Sequence, residues 1–272
     1  MPTKINLMIL GAGIVGAAVM LLSASGASAN SQAKDLEPIT VFAAASLADV
    51  MPKLADTWQL DGHGARVRVS VGASGVIARQ IEAGASADLF ISANQKWINY
   101  LIAGGYSGSN SKIVAQNRLV MALPCNDATK LSDLSAPGAL KLLLESKRFA
   151  MADPKVSPAG DYTKIALEKL ALWDAVEKNA TYAGSVRLAL LLTERGGLPG
   201  FVYATDAQKS ALACTALHLP TTSYPTIKYV GMTPRDSQGS ASKTAEDFLA
   251  WLTGAAAAVI WQTHGFWPTA PK

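Results

Sequence analysis

Charged residues are scarce in this chain, and its lysines and arginines form no run. Of its 272 residues, 16% are charged, and the formal net charge at pH 7 is only +4. A nucleic-acid-binding surface needs lysine and arginine side chains clustered on one face, so we expect no nucleic-acid partner. Internal repeats are also missing. Half of the residues are hydrophobic, which is enough to build one large domain or two modest ones.

Residues that bind metal ions or act as catalytic bases are few. The three histidines, His63, His218 and His264, lie far apart in unrelated contexts. Neither of the two cysteines, Cys125 and Cys214, has a histidine at the spacing of a zinc site. We therefore expect no directly coordinated metal ion and no catalytic residue.

The first thirty residues have the composition of a secretory signal peptide. Lys4 supplies a positive charge, the apolar run INLMILGAGIVGAAVMLL follows, and SASGASA ends in small residues. This pattern predicts a signal peptide over residues 1–29, cleaved after Ala29 and before Asn30, and export of a soluble protein. A retained membrane anchor is the alternative interpretation.

Export changes how two other features are interpreted. GAGIVG places Gly11, Gly13 and Gly16 at the spacing of a dinucleotide-binding motif, but that motif needs a preceding strand, which an export segment lacks. In an oxidising compartment, Cys125 and Cys214 are expected to form a disulfide, with two free buried thiols as the alternative. Closing a loop of roughly 90 residues stabilises a fold by about 4 kcal/mol in the chain-entropy model.

Strand and helix patterns alternate along the rest of the chain. Predicted strands include ITVFAAA, RVRVSV, ADLFIS, RFAMAD and GFVYA, with amphipathic helical patterns between them. This order predicts an α/β fold with mainly parallel sheets and helices on both faces. Two such runs without a long linker predict two lobes, 38–117 plus 228–272 and 118–227. We expect NRLVMALP and TIKYVGM to cross between the lobes, and a ligand cleft between them.

Four junctions lead into helices with small or hydroxyl-bearing residues. They contain Ser46, Ser74, Pro158–Gly160 and Gly184–Val186. Helix N-termini offer unpaired N–H groups and a positive dipole end, so several at one cleft would bind an anion without any formal charge. We expect glycines such as Gly75 and Gly160 to let the backbone approach that ligand. The alternative is that each serine only caps its helix.

These junctions fall within longer segments that resemble a known family. The chain is similar to the periplasmic molybdate-binding proteins of bacterial ABC importers in VFAAASL, ARQIEAGASADLFISANQKW, ADPKVSPAGDYTKIALEKL and FVYATDA, and overall from about residue 39 to 266. The resemblance implies a type II periplasmic binding protein fold, no enzymatic activity and no cofactor. It implies molybdate or tungstate as ligand, a periplasmic monomer, and delivery to a membrane permease that works with a cytoplasmic ATPase.

The resemblance also implies the ligand residues. The oxyanion would be held by hydroxyls and main-chain amides of five residues: Ser46, Ser74, Ala159, Val186 and Tyr203. Without the resemblance, Tyr203 would be interpreted as a core residue. The sequence departs from the family pattern where GASG keeps one serine instead of consecutive serines, and where ATD replaces GSD. We expect a structural or surface role for Arg187, and helix caps rather than catalysts in Asp88 and Asp206.

A site built only from hydrogen-bond donors would select its ligand by protonation. Hydrogen phosphate carries a proton that would meet another donor, whereas molybdate, tungstate and sulfate do not. Sulfate or another oxyanion is therefore the main alternative ligand. A serine hydrolase using Ser46 or Ser74 is a more distant alternative, because no G-x-S-x-G motif surrounds either residue. A receptor or adaptor domain that recognises protein partners is the third alternative function.

Overall fold

The structure, a computed structural model, describes residues 37–63, 65–106, 111–128, 138–234 and 240–268. The predicted signal peptide, residues 1–29, lies outside these ranges. Within them, none of the helices has the length and apolar character needed to cross a bilayer.

Strands and helices alternate through the described residues. The strands are β1 (Ile39–Ala44), β2 (Val67–Gly72), β3 (Leu89–Ser92), β4 (Lys112–Asn117), β5 (Leu119–Pro124), β6 (Phe149–Ala152), β7 (Ala180–Ala183), β8 (Gly200–Tyr203), β9 (Ala213–His218), β10 (Ile227–Met232) and β11 (Trp267–Pro268). The α-helices are α1 (Val50–Trp58), α2 (Ser74–Glu82), α3 (Gln95–Ala103), α4 (Cys125–Ala128), α5 (Ala139–Ser146), α6 (Pro158–Lys169), α7 (Trp173–Val176), α8 (Val186–Gly196), α9 (Ala204–Lys209), α10 (Ser240–Trp251) and α11 (Ala255–Thr263).

The strands form two mixed sheets. The first has the order β11-β4-β10-β3-β1-β2 and the second the order β7-β6-β8-β5-β9. In the first sheet, β1 pairs in parallel with β2 and β3, and β10 is antiparallel to β3 and β4. In the second, β6 pairs in parallel with β7 and β8, and β5 is antiparallel to β8 and β9. Each sheet is thus a three-stranded parallel set extended by antiparallel strands, rather than mainly parallel throughout.

The antiparallel strands arise where the chain passes from one sheet to the other. Arg118 alone separates β4 from β5, and residues 219–226 lead from β9 to β10. Parallel neighbours need a long crossover, usually a helix. β5 and β10, which enter their sheets directly from the other sheet, are among the strands that pair antiparallel with their neighbours. Below, the first lobe means the first sheet with its helices and the second lobe the second sheet with its helices.

Helices begin close to the carboxyl ends of the parallel strands. A short 3-10 helix, Ala45–Leu47, follows β1 directly, and one residue separates β2 from α2. In the second lobe, α8 follows β7 after two residues and α9 follows β8 directly. Since parallel strands end at the same edge of a sheet, these helix starts gather at one edge of each lobe.

A disulfide joins Cys125 and Cys214, with a sulfur–sulfur distance of 2.07 Å. Cys125 is the first residue of α4, and Cys214 lies in β9, next to β5. The bridge therefore lies within the second lobe.

Candidate functional site

The five residues that the resemblance implies as ligands come from both lobes. Ser46 lies in the 3-10 helix after β1, and Ser74 is the first residue of α2. In the second lobe, Ala159 is the second residue of α6, Val186 the first of α8, and Tyr203 the last of β8. All five are at most 3% exposed. Ser46 precedes α1 by several residues, so it does not cap that helix.

Four of these residues line one cavity between the lobes. The cavity is small, with a volume of about 10 Å³ open to the centre of a water-sized sphere. Its walls are formed by Ala44, Ala45, Ser46, Gly72, Ala73, Ser74, Ala93, Ser157, Pro158, Val186 and Tyr203. Ala159 is not among them, although Ser157 and Pro158, just before it, are. The structure thus brings Ser46, Ser74, Val186 and Tyr203 to the cavity wall and leaves Ala159 just behind it.

The wall of the cavity favours an anion without carrying any charged side chain. Three helices, α2, α6 and α8, start at the lining residues Ser74, Pro158 and Val186. Their N-termini present unpaired N–H groups and the positive ends of the helix dipoles. Such ends bind anions. In the described part of the chain, no cluster of three or more His, Cys, Asp or Glu residues is placed to hold a metal ion.

Both serine hydroxyl groups are already hydrogen-bonded to other groups of the protein. Ser74 Oγ accepts from the Ala93 N–H at 3.2 Å, so its own hydrogen is available to a ligand. Ser46 Oγ lies 2.8 Å from the Tyr229 hydroxyl oxygen. Neither contact involves a carboxylate or an imidazole, the groups that usually act as general base for a serine nucleophile.

Tyr203 has a buried hydroxyl at the cavity. The side chain is 1% exposed, and within the described residues its Oη has no hydrogen-bond partner. Burial raises the pKa of Tyr203 well above its ordinary value, so the phenol stays protonated. A buried, unpaired polar group costs about 1–3 kcal/mol. An acceptor in the cavity would remove that cost.

Direct contacts hold the two lobes together around the cavity. The Gly75 N–H in α2 donates to the Val156 carbonyl oxygen at 2.9 Å, and the Tyr162 hydroxyl donates to the Ala93 carbonyl oxygen at 3.4 Å. A Cβ at Gly75 would lie 2.2 Å from the Trp97 ring and 2.6 Å from Val156 O. Gly75 is therefore needed for contact within the protein.

Gly160 has a similar role within the second lobe. A Cβ at this position would lie only 2.1 Å from the Ala152 carbonyl oxygen. The expectation that Gly75 and Gly160 let the backbone approach a ligand is therefore replaced by a packing requirement at both positions. The reason is that each glycine faces neighbouring backbone or an aromatic ring.

Arg187, which directly follows Val186, is held by two carboxylates. Its Nε lies 2.7 Å from Asp206 Oδ1, and its Nη2 lies 2.6 Å from Asp49 Oδ2 in the first lobe. Asp206 is fully buried, and this burial raises its pKa to about 6, although the Arg187 charge acts to lower it. Arg187 is not among the residues that line the cavity. The structural role expected for Arg187 is consistent with these pairs.

Sequence reasoning missed a second layer of polar residues behind Ser46. The Asn117 amide nitrogen donates to Thr205 Oγ1 at 2.9 Å and to the Tyr229 hydroxyl at 3.1 Å. No motif marks these residues. The available signal was that Asn117 and Tyr229 fall in NRLVMALP and TIKYVGM, the segments expected to cross between the lobes.

Comparison with known proteins places this site in a family. Residues 39–267 match the model of a family described as bacterial extracellular solute-binding proteins. The chain belongs to this family. Its members bind solutes rather than catalyse reactions, which confirms the expectation that the chain is not an enzyme.

Individual proteins that are similar to this chain extend the comparison. The molybdate-binding protein ModA of Escherichia coli (strain K12) is 36% identical over 244 residues, which cover 89% of this chain and 93% of the relative. The periplasmic molybdate-binding protein of Azotobacter vinelandii matches with a TM-score of 0.71 at 24% identity, covering 86% of this chain and 100% of that chain. The sulfate-binding protein SubI of Mycobacterium tuberculosis H37Rv matches with a TM-score of 0.69 at 17% identity, covering 87% and 88%. The two structures confirm the periplasmic binding protein fold.

Proposed function

We propose that this solute-binding protein captures molybdate, and also tungstate, between its two lobes and delivers it to an ABC importer. The single observation that carries the proposal is the uncharged cavity on which serine and tyrosine hydroxyls and three helix N-termini converge. The 36% identity to the molybdate-binding protein of Escherichia coli supports molybdate as the ligand.

The proposed ligand groups are neutral hydrogen-bond donors. Ser46 and Ser74 each offer an N–H and an O–H, Ala159 and Val186 each offer an N–H, and Tyr203 offers its O–H. Hydrogen bonds to a charged partner contribute about 1.5–3 kcal/mol each, so the gross gain is roughly 10–20 kcal/mol. Association and ordering cost about 4–15 kcal/mol. Micromolar to nanomolar affinity, about 8–12 kcal/mol, lies within the span of these two ranges.

Sulfate is the second candidate ligand, because a sulfate-binding protein shares the fold. Molybdate, tungstate and sulfate carry the same charge and no proton, so only the size of the cavity separates sulfate from the other two. Molybdate and tungstate are nearly equal in size, and we expect the site to bind them alike. Hydrogen phosphate is excluded by its proton.

A calorimetric titration of the purified protein with molybdate, tungstate, sulfate and phosphate tests the proposal. We expect similar dissociation constants for molybdate and tungstate, and weaker binding of sulfate by at least about tenfold, or roughly 1.4 kcal/mol. Molybdate at 100 times its dissociation constant should stabilise the fold by about 2.7 kcal/mol, which a thermal-shift assay detects. Equal affinity for sulfate and molybdate would contradict the assignment of molybdate.

The remaining parts of the proposal concern export and partners. The protein is exported by the signal peptide over residues 1–29, cut after Ala29, and acts in the periplasm as a soluble monomer. Its partners are a membrane permease and a cytoplasmic ATPase. The lobe boundaries, 38–117 plus 228–272 and 118–227, stay a prediction. N-terminal sequencing of the secreted protein and size-exclusion chromatography with light scattering test cleavage and oligomeric state.

A further inference from the structure

A buried chain of hydrogen bonds runs from the first crossing between the sheets to the candidate ligand site. It passes from the Asn117 amide to the Tyr229 hydroxyl at 3.1 Å, and from there to Ser46 Oγ at 2.8 Å. Asn117, Tyr229 and Ser46 are each at most 5% exposed. Of the three, Ser46 lines the cavity. These hydrogen bonds thus connect a residue beside the crossing from β4 to β5 with one proposed ligand residue.

The Asn117 amide, at one end, indicates the direction of these hydrogen bonds. Asn117 Oδ1 accepts from the Arg118 N–H at 2.8 Å, which leaves the amide nitrogen facing Thr205 and Tyr229. An amide nitrogen can only donate, so the Tyr229 oxygen accepts. We assign the single hydrogen of Tyr229 to Ser46 Oγ, its other hydrogen-bond contact, at 2.8 Å. Ser46 is left with its own hydrogen to donate elsewhere, and the cavity is the space it lines.

The position of the Tyr229 ring is also fixed. Its ring centre lies 6.2 Å from that of Tyr203 and 5.5 Å from that of Phe266, both in edge-to-face geometry. Burial raises the pKa of Tyr229 well above its ordinary value, so the phenol keeps the hydrogen that it donates. The ring cannot turn away from Ser46 without losing these contacts.

We propose that Tyr229, oriented by Asn117, is a specificity-determining positioning residue that makes Ser46 an obligatory donor toward the ligand. This inference rests on the proposed function, since it concerns the same anion site. A free serine hydroxyl can either donate or accept, and would tolerate the proton of hydrogen phosphate. When Tyr229 occupies one of its two lone pairs, Ser46 directs its hydrogen at the ligand, and this orientation opposes a protonated oxyanion.

Two substitutions separate this role from simple packing. Tyr229→Phe keeps the ring and removes the hydroxyl, so Ser46 becomes free to rotate. Asn117→Asp keeps the shape but replaces the donor by an acceptor. The carboxylate would then accept from Tyr229, Tyr229 would accept from Ser46, and Ser46 would turn its lone pair toward the anion. Asn117→Asp therefore reverses the direction of the hydrogen bonds, whereas Tyr229→Phe only removes the bond to Ser46.

The test is a double-mutant cycle read by calorimetry with molybdate, sulfate and inorganic phosphate at mildly alkaline pH. Tyr229→Phe should weaken molybdate binding by about tenfold and raise the affinity for phosphate relative to sulfate. Asn117→Asp should weaken molybdate binding more than Tyr229→Phe does. In the Tyr229→Phe background, Asn117→Asp should have a much smaller effect, because the chain is already broken.

The outcomes distinguish the inference from its alternatives. An equal effect of Asn117→Asp with and without the Tyr229 hydroxyl would indicate repulsion by the new charge and overturn the inference. So would an unchanged ratio of phosphate to sulfate affinity in Tyr229→Phe. If the wild type bound sulfate but not molybdate, the proposed function would be refuted and the inference would not, because the double-mutant cycle can be measured with sulfate instead. Wild-type protein that binds none of these anions would overturn both. Thermal unfolding without ligand checks that each variant folds.

Discussion

At the scale of single residues, the hydroxyl groups around the cavity differ in whether they already have a hydrogen-bond partner within the protein. Ser74 and Ser46 each have a protein partner, whereas Tyr203 Oη has none in the described part of the chain. A buried hydroxyl without a partner costs stability in the free protein. A ligand oxygen in the cavity would accept a hydrogen bond from this hydroxyl and remove the cost. Tyr203 is therefore a residue whose contribution to folding and to binding should have opposite signs.

Tyr203→Phe separates these two contributions. We expect molybdate affinity to fall by about 10–100-fold, because a hydrogen bond to a charged group is lost. The free energy of unfolding of the ligand-free protein should stay the same or rise by up to about 1 kcal/mol. Calorimetric titration and urea unfolding measure the two quantities.

Tyr224→Phe is the matched control for that substitution. The Tyr224 hydroxyl accepts a hydrogen bond from the Leu119 N–H at 3.1 Å and does not line the cavity. Its removal should lower the free energy of unfolding by about 1 kcal/mol and leave molybdate affinity unchanged. If Tyr203→Phe showed this same pattern, Tyr203 would be a structural residue and not a ligand.

Residue-scale features differ in how far the sequence could predict them. The helix junctions pointed to Ser46 and Ala159 as parts of an anion site, whereas Tyr203, which alone fits a core position, was reached only through the resemblance. Tyr229 and Asn117 carried no local signal, because their importance depends on contacts between residues more than 100 positions apart. Distances of that kind in sequence are set by the topology of the two sheets.

At the scale of helices and strands, the site depends on where helices begin. Val186 occupies the first helical position of α8, and Ser185 before it is extended and accepts a hydrogen bond from the Leu188 N–H at 3.3 Å. The first N–H of a helix has no partner within the helix. This is the amide that the proposed function assigns to the ligand.

Val186→Pro removes this amide with little damage to the helix. Proline is favoured at the first helical position, and the extended Ser185 (φ −157°, ψ 169°) suits a residue before proline. We expect α8 to persist and molybdate affinity to fall by about 10–100-fold. Val186→Ala keeps the N–H and should change the affinity far less. Unaltered affinity in Val186→Pro would show that this amide is not a ligand.

Ala159→Pro tests the second amide less cleanly. A proline at residue 159 disfavours the helical conformation of Pro158, so lost binding could reflect a displaced helix. Ala159 also lies behind the cavity wall rather than on it. Ala159→Ser, which keeps the N–H, should be tolerated. Comparison of the two variants by titration and circular dichroism separates a lost amide from a lost helix turn.

The buried strands were predictable, and two exposed edge strands were not. Amphipathic patterns predicted α2, α3, α6 and α8, and apolar runs predicted β1, β3, β6 and β8. The short edge strands β7 and β11 have few buried residues, so they lack the pattern that marks a strand. At the C-terminal end of the described residues, α11 begins directly after Gly254, whose backbone is extended.

At the scale of the whole molecule, polar contacts around the cavity join the two lobes. The Gly75 N–H bonds to Val156, the Tyr162 hydroxyl bonds to Ala93, and Arg187 pairs with Asp49. Hinge closure around a ligand is typical of this class of protein. The alternation of elements predicted two lobes. It could not predict mixed sheets, because strand direction at the crossings depends on the path between the sheets.

Gly75→Ala tests whether close approach of the lobes is needed for binding. Its Cβ would overlap the Trp97 ring and the Val156 carbonyl oxygen. We expect molybdate affinity to fall by at least about tenfold, since the lobes would be held apart and the donors would no longer converge. Small-angle scattering with molybdate should show a larger radius of gyration than for the wild type.

Gly196→Ala provides the control for an added methyl group. Nothing lies within 4 Å of a Cβ at this position in α8. Alanine in place of a helical glycine should raise the free energy of unfolding by up to about 1 kcal/mol and leave molybdate affinity unchanged. Equal affinities for Gly75→Ala and Gly196→Ala would show that closure at Gly75 does not matter for binding.

The central claim is that neutral donors from two lobes hold a fully deprotonated tetrahedral dianion. A crystal structure of the protein with molybdate tests this claim most directly. The account predicts the anion in the cavity, its oxygens within hydrogen-bond distance of Ser46 Oγ, Ser74 Oγ and Tyr203 Oη, and no lysine or arginine nitrogen in contact. A lysine or arginine side chain bound to the anion, or an anion bound outside this cavity, would contradict it.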